Sequence, residues 1–280
     1  MSAFAPTTVA AALRQAHTAG LARIDAQILL LHSVGRPLHD RAWLLAHDTD
    51  TLPTAASAVF LALCQRRAAG EPVAYLTGVK EFYGLPLQVD ARVLDPRPDT
   101  ETLVDWALEV LQAVPTPKVL DLGTGSGAIA LALQQQRPDA QVLALDASTD
   151  ALAVAQANAQ RLGLAVQFQH GHWLQGLEGC FAAIVSNPPY IPSGDPHLAS
   201  LQHEPLQALA SGPDGLDDIR HIVAQAPAHL PPGGWLLLEH GWDQAASVRA
   251  LLSQAGLCQV QSRCDLAGIE RCSGAQRPLG

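Results

Sequence analysis

"KVLDLGTGSGAIALALQQQ", residues 118–136, decides the fold. Its first residues form a short apolar run, the pattern of a strand buried on both faces. Gly123, Gly125 and Gly127 follow at alternate positions. Residues without a Cβ permit a tight turn and let a ligand approach the backbone closely. From Ala128 the pattern becomes helical. Strand, glycine turn and helix in that order open a nucleotide-binding βαβ unit.

The chain downstream repeats this alternation. "QVLALD" (141–146), "AVQFQH" (165–170), "FAAIVSN" (181–187), "GWLLLEHG" (234–241) and "LCQVQSRCD" (257–265) read as strands. "STDALAVAQANAQRLG" (148–163), "DGLDDIRHIVAQAPAHL" (214–230) and "DQAASVRALLSQAG" (243–256) read as helices. The pattern predicts an α/β fold, a mostly parallel, Rossmann-like sheet covered on both faces. Such sheets take ligands at the carboxyl ends of their strands, at the switch point of strand order.

Upstream the character differs. Thr7 and Thr8 are candidate N-caps before "VAAALRQAH". Ile24, Ile28 and Leu31 share a helical face, "HDRAWLLAH" is a short helix, and Gly70 closes a longer one. Residues 1–70 are expected to form a small all-helical N-terminal domain. "VAYLTGVKEFYGLPLQVDARVLDP" (73–96), punctuated by Gly78 and Gly84, predicts a β-hairpin within a linker over 71–98. Asp99 is a candidate N-cap for the helix that opens a catalytic domain over 99–280.

Composition excludes several classes. The net charge of -9 suits nucleic-acid binding poorly, since phosphate neutralisation needs clustered Lys and Arg. Arg66-Arg67 reads as a solvated helix end. Five cysteines without a C-x-x-C suggest neither a disulfide framework nor a zinc ribbon, and reduced thiols fit the cytoplasm. The histidines lack metal-ligand spacing, so no metal is expected. The N-terminus lacks signal-peptide features. No apolar run approaches the ~20 residues of a membrane helix.

Asp146 ends the second strand, where a carboxylate accepts from ribose hydroxyls. With the glycine loop it points to an adenosine-containing cofactor. Gly123, Gly125 and Ala128 also satisfy a dinucleotide fingerprint, which keeps NAD and an oxidoreductase in view. Asp121 and the third glycine, however, complete D-x-G-x-G-x-G, which resembles motif I of the S-adenosylmethionine (SAM) methyltransferases.

Asn187-Pro188-Pro189-Tyr190 closes the strand that begins near Phe181. A proline pair cannot extend a strand ladder. The Asn187 side-chain carbonyl and the Pro188 carbonyl form two neighbouring acceptors, suited to a planar amino group with two donors. Tyr190 supplies a ring for a flat acceptor. The expected chemistry is methyl transfer to an exocyclic or amide nitrogen, on adenine or on glutamine.

The flanks separate these substrates. "GEPVAYLTG", "EFYG", "LDPRPDTE", "DLGTGSGAIALAL", "SNPPYI", "EPLQAL" and "LLLEHG" resemble, in order and spacing, the release-factor glutamine methyltransferases (the PrmC/HemK family), from about residue 22 to 271. That resemblance implies a helical N-terminal domain, a β-hairpin and a seven-stranded SAM domain. The substrate it implies is the glutamine of the Gly-Gly-Gln motif in peptide chain release factors. For the cofactor it implies Gly123, Thr124, Gly125, Ser126, Gly127, Asp146, Trp173 against the adenine, and Asn187. For the acceptor amide it implies Asn187, Pro188, Pro189 and Tyr190 as the catalytic group. Arg97 and Glu101, with Thr100, are expected at the substrate entrance, the alternative being a domain-linking capping network without ligand contact; Phe82 and Tyr83 are expected to pack the substrate loop or, for one of them, the hairpin core. Asp95, Leu87 and His172 depart from the family pattern. A monomer is expected, with its helical domain recognising the protein partner. The rival readings are an adenine methyltransferase of DNA or RNA, a NAD-dependent oxidoreductase, and a SAM-binding scaffold without activity.

Overall fold

The computed structural model describes residues 7–279. Chain packing divides into two compact units, one ending at Val79 and one beginning at Lys80.

The first unit is helical: α1 (Val9–Thr18), α2 (Arg23–Ser33), α3 (Arg41–Ala46), α4 (Thr54–Ala68) and α5 (Val73–Thr77). Thr8 caps α1 by accepting from the Ala11 amide, and Asp40 caps α3 by accepting from Trp43. Leu29, Leu30 and Leu31 of α2 are fully buried and gather Val9, Leu21, Phe60 and Leu76 around them. The segment 73–77 is helical where its apolar run predicts extended chain. Gly78 in the left-handed region (φ 73°) ends it.

The hairpin that follows is correspondingly short, β1 (Val79–Phe82) and β2 (Leu85–Gln88). Phe82 and Leu87 are buried, so Leu87, although it departs from the family pattern, supplies hydrophobic core. Asp99 does not cap a helix directly. A 3-10 turn, Pro98–Thr100, precedes α6 (Glu101–Val110).

The second unit continues as β3 (Lys118–Leu122), α7 (Ala128–Gln136), β4 (Gln141–Asp146), α8 (Thr149–Leu162), β5 (Gln167–His170), β6 (Ala183–Ser186), α9 (Asp217–Gln225), β7 (Trp235–Glu239), α10 (Ala245–Gln254), β8 (Cys258–Cys264) and β9 (Glu270–Gln276). The seven strands lie in the order β5-β4-β3-β6-β7-β9-β8. The first five are parallel, and β9 is antiparallel to both of its neighbours. The order reverses between β3 and β6, which makes their carboxyl ends the switch point.

Register sets what happens there. Leu122 stands opposite Leu145 on one side and Ser186 on the other, and Ser186 stands opposite Leu238. The next residues of the four strands are Gly123, Asp146, Asn187 and Glu239. They therefore stand in one row at the carboxyl edge of the sheet, Asp146 and Glu239 as the last residues of their strands. No helix among the described residues is long and apolar enough to cross a membrane.

Candidate active site

The glycine loop is held open from beneath. Gly123, Gly125 and Gly127 all have positive φ (71°, 56° and 86°). The Gly123 and Thr124 amides donate to the Leu145 carbonyl, tying the loop to the end of β4. Thr124 Oγ1 donates to Asp121 Oδ2 at 2.6 Å, and the Ala130 amide donates to the same oxygen. Burial pushes the Asp121 carboxyl up to about 7, and these two bonds oppose the rise. Asn158 of α8 donates to the Ser126 and Gln88 carbonyls and accepts from the Gln88 amide, joining the loop to the hairpin. Thr124, Ser126 and Gly127 thus shape the loop, while Gly123 and Gly125 face the cleft.

That cleft, about 270 Å³, is bounded by Gly123, Gly125, Asp146, Trp173, Asn187 and Asp218, among others. Asp146 Oδ2 accepts from the Gly125 amide at 2.9 Å, and Oδ1 accepts from the Ser148 amide at 2.8 Å. Each carboxylate oxygen can accept a further hydrogen bond, and Asp146 lines the cleft. Trp173 is held at φ 50°, unusual for a bulky residue, and its Nε1 donates to Asp218 Oδ1 at 2.9 Å. A Cβ added at Gly123 would meet the Trp173 ring at 3.4 Å. The chamber therefore offers a bare backbone, a carboxylate at one strand end and an indole wall. These residues fit an adenosine with a charged tail. His172 lines the cleft from an exposed position. Asp218 was not legible in the sequence, because only the fold carries the start of α9 to Trp173.

A second cavity, about 240 Å³, is lined by Leu94, Arg97, Asn187, Tyr190, Ile191, Leu201, Ala208 and Leu209. Leu94, Asn187 and Ala208 border both cavities. The Asn187 Nδ2 donates to Thr100 Oγ1 at 3.2 Å, which leaves Oδ1 free to accept. Pro188 and Pro189 are buried, and Pro189 borders the first cleft. Tyr190 Oη donates to Glu239 Oε1 at 3.4 Å, while its carbonyl accepts from Gln244 Nε2. Burial and the Glu239 charge raise the Tyr190 phenol well above its ordinary value.

The rim of the second cavity is ionic. Arg97 pairs with the buried Glu204, whose other oxygen accepts from the Asp95 amide. Asp95 is itself buried between Lys80 and Arg97, at 3.2 and 3.4 Å. Its departure from the family pattern thus comes with two cationic partners. Glu101 lies apart from both linings. Its Oε1 accepts from the Tyr83 amide at 2.9 Å, anchoring the hairpin turn. Tyr83 Oη donates to Asp105, and Phe82 is core.

Comparison with known proteins identifies the family. A PrmC N-terminal domain model matches residues 7–78, and a Methyltransferase small domain model matches 100–208. A release factor glutamine methyltransferase of Bordetella pertussis is 52% identical over 259 residues, covering 91% of this chain and 95% of that protein. One from Burkholderia pseudomallei is 49% identical, covering 98% and 97%. Among solved structures, a methyltransferase from Pyrococcus furiosus superposes with a TM-score of 0.53 at 18% identity, over 78% of this chain and 98% of that one. That last likeness speaks for the fold alone.

Proposed function

Because the chain belongs to the release factor glutamine methyltransferase family, we propose that it methylates the side-chain amide nitrogen of the glutamine in the Gly-Gly-Gln motif of peptide chain release factors, with SAM as donor. The observation that carries this reading is Asn187, which stands in the wall shared by two cavities with a free side-chain acceptor.

SAM supplies an electrophilic sulfonium methyl when bound. The loop from Gly123 through Thr124, Gly125 and Ser126 to Gly127 receives its methionine portion. Asp146 accepts from the ribose hydroxyls, and Trp173 packs on the adenine. The protein must then solve the acceptor's problem. An amide nitrogen is a poor nucleophile, because its lone pair is delocalised into the carbonyl. Asn187 Oδ1 and the Pro188 carbonyl would take the two amide hydrogens and so orient the nitrogen toward the methyl donor. Transfer would break the donor's S–CH3 bond, leaving a neutral thioether, and form the N–CH3 bond; the two acceptors would stabilise the positive charge developing on the amide nitrogen until its proton passes to water. Pro189 holds the elbow rigid and Tyr190 forms the inner wall. Arg97, fixed by Glu204, shapes the substrate entrance, with Glu101 bracing the hairpin beside it.

The same reading assigns residues 1–70 to recognition of the release factor, 71–98 to the linker and 99–280 to catalysis. The enzyme acts as a monomer in the cytoplasm, without direct nucleic-acid contact. Calorimetry against SAM and NAD, followed by label transfer from SAM to purified release factor, tests the proposal. Binding of SAM but not NAD, with label on the factor, is expected. NAD binding without SAM binding, or label entering RNA or DNA instead, would overturn it.

A further inference from the structure

The row at the carboxyl edge of the sheet contains one group that the mechanism leaves without a task. Glu239 follows Leu238, which is in register with Ser186, so as the last residue of β7 it stands beside Asn187. It is buried, and its Oε2 has no hydrogen-bond partner. Tyr190 from the loop after β6, Thr100 and Asp99 from the turn before α6, and Arg271 and Cys272 from β9 surround it. Arg271 is shared between Asp265 at 3.1 Å and Asp99 at 3.6 Å, so no cation is dedicated to Glu239. A carboxyl buried on these terms costs stability and calls for a reason.

The surroundings supply one. Thr100 Oγ1 accepts from Asn187 Nδ2. A hydroxyl that accepts is free to point its hydrogen elsewhere; Thr100 is held against Asn187, and Glu239 stands beside Asn187 at the strand ends, so the two are neighbours. We infer that Glu239 and Thr100 are positioning residues for methyl transfer: the Glu239 carboxylate orients the Thr100 hydroxyl, which fixes the Asn187 amide with Oδ1 toward the acceptor. This rests on the role proposed above for Asn187. Without the relay the amide can rotate by half a turn and present a donor to a substrate group that is itself a donor. Through Tyr190 Oη the same carboxylate also steadies the far side of the elbow.

The relay needs the ionised form. A protonated Glu239 donates, and the Thr100 hydrogen is released to turn toward Asn187, where it competes with Nδ2–H. Burial pushes the Glu239 carboxyl up to about 7; hydrogen bonding from Thr100 opposes the rise, Asp99 adds to it, and Arg271 and Tyr190 oppose it. Turnover should therefore fall as pH drops through about 7. Stability runs the other way. Between the ordinary value of 4.5 and about 7 the folded chain holds a proton that the unfolded chain has released, so stability declines as pH rises through that window.

The test uses the full chain with purified release factor. Thr100→Val should lower kcat about five- to tenfold, the worth of one hydrogen bond, with SAM affinity unchanged and Thr100→Ser restoring the rate. Glu239→Gln should lower kcat, remove the fall near pH 7, and melt no lower than wild type at pH 8. Unchanged kcat in both variants, or a Glu239→Gln profile identical to wild type, would overturn the relay. A second readout needs neither turnover nor the variants' folding. In wild-type protein the Asn187 side-chain NH2 signal in NMR should titrate with a midpoint near 7; a signal constant across that range contradicts the relay. Absence of any wild-type methylation would instead count against the functional reading, and the NMR titration would still decide the relay.

Discussion

Asn187 and Asp146 sit in the same row at the sheet edge and are predicted to fail differently. On the proposed mechanism, Asn187→Ala removes one of two acceptors used mainly in the transition state. Its kcat should fall about a hundred- to a thousandfold, while the SAM dissociation constant, read by calorimetry, moves little. Asn187→Asp keeps the shape and one acceptor but sets a negative charge beside a sulfonium. It should bind SAM well and turn over poorly, because the charge stabilises the ground state that the reaction must discharge. Asp146→Ala removes charge-assisted hydrogen bonds worth about 1.5–3 kcal/mol and should weaken SAM by that amount. Its carboxylate also anchors the Gly125 and Ser148 amides, so some loss of thermal stability should accompany it. Both residues were legible because each closes an apolar strand with a polar group. Glu239 closes β7 in the same way. It read only as part of "LLLEHG", since its partners Thr100 and Tyr190 lie far from it along the chain.

At the scale of elements, legibility tracked hydrophobic pattern. β3, β4, β6 and β7 are buried apolar runs, and they stand where the alternation predicts them. β9 carries no such signal. Its buried stretch is Cys272, Ser273, Gly274 and Ala275, small residues between two neighbouring strands. Trp106 of α6 explains why. A Cβ at Gly274 would stand 2.5 Å from Leu237 Cδ2, 2.8 Å from Trp106 Cη2 and 2.9 Å from the Leu236 carbonyl oxygen. The large ring requires the small strand, and a small-residue strand has no periodicity to read. Gly274→Ala should accordingly destabilise the fold by about 1–3 kcal/mol, seen in urea unfolding. The hairpin erred in the other direction. Residues 73–77 carry β-type side chains, but Ala74 and Leu76 are buried as part of a helix, and packing overrode propensity. Asn158→Ala tests the join between hairpin and glycine loop. Leaving the Gln88 and Ser126 backbone groups unpaired should cost about 1–3 kcal/mol. SAM affinity should fall as the loop loosens.

For the whole molecule, the two units are expected to divide the work. A chain of residues 80–280 carries the glycine loop, Asp146, Trp173 and the NPPY elbow. Provided circular dichroism shows it folded, it should keep SAM affinity and lose activity on intact release factor. Normal methylation by that truncated chain would remove the recognition role from the helical unit. The measurement that bears most directly on the account is mass spectrometry of the Gly-Gly-Gln peptide after incubation of full-length enzyme, SAM and release factor. The account predicts a single methyl group on the glutamine side-chain nitrogen, present with wild type and nearly absent with Asn187→Ala. An unmodified glutamine, or a methyl group on another residue of the factor, would contradict it.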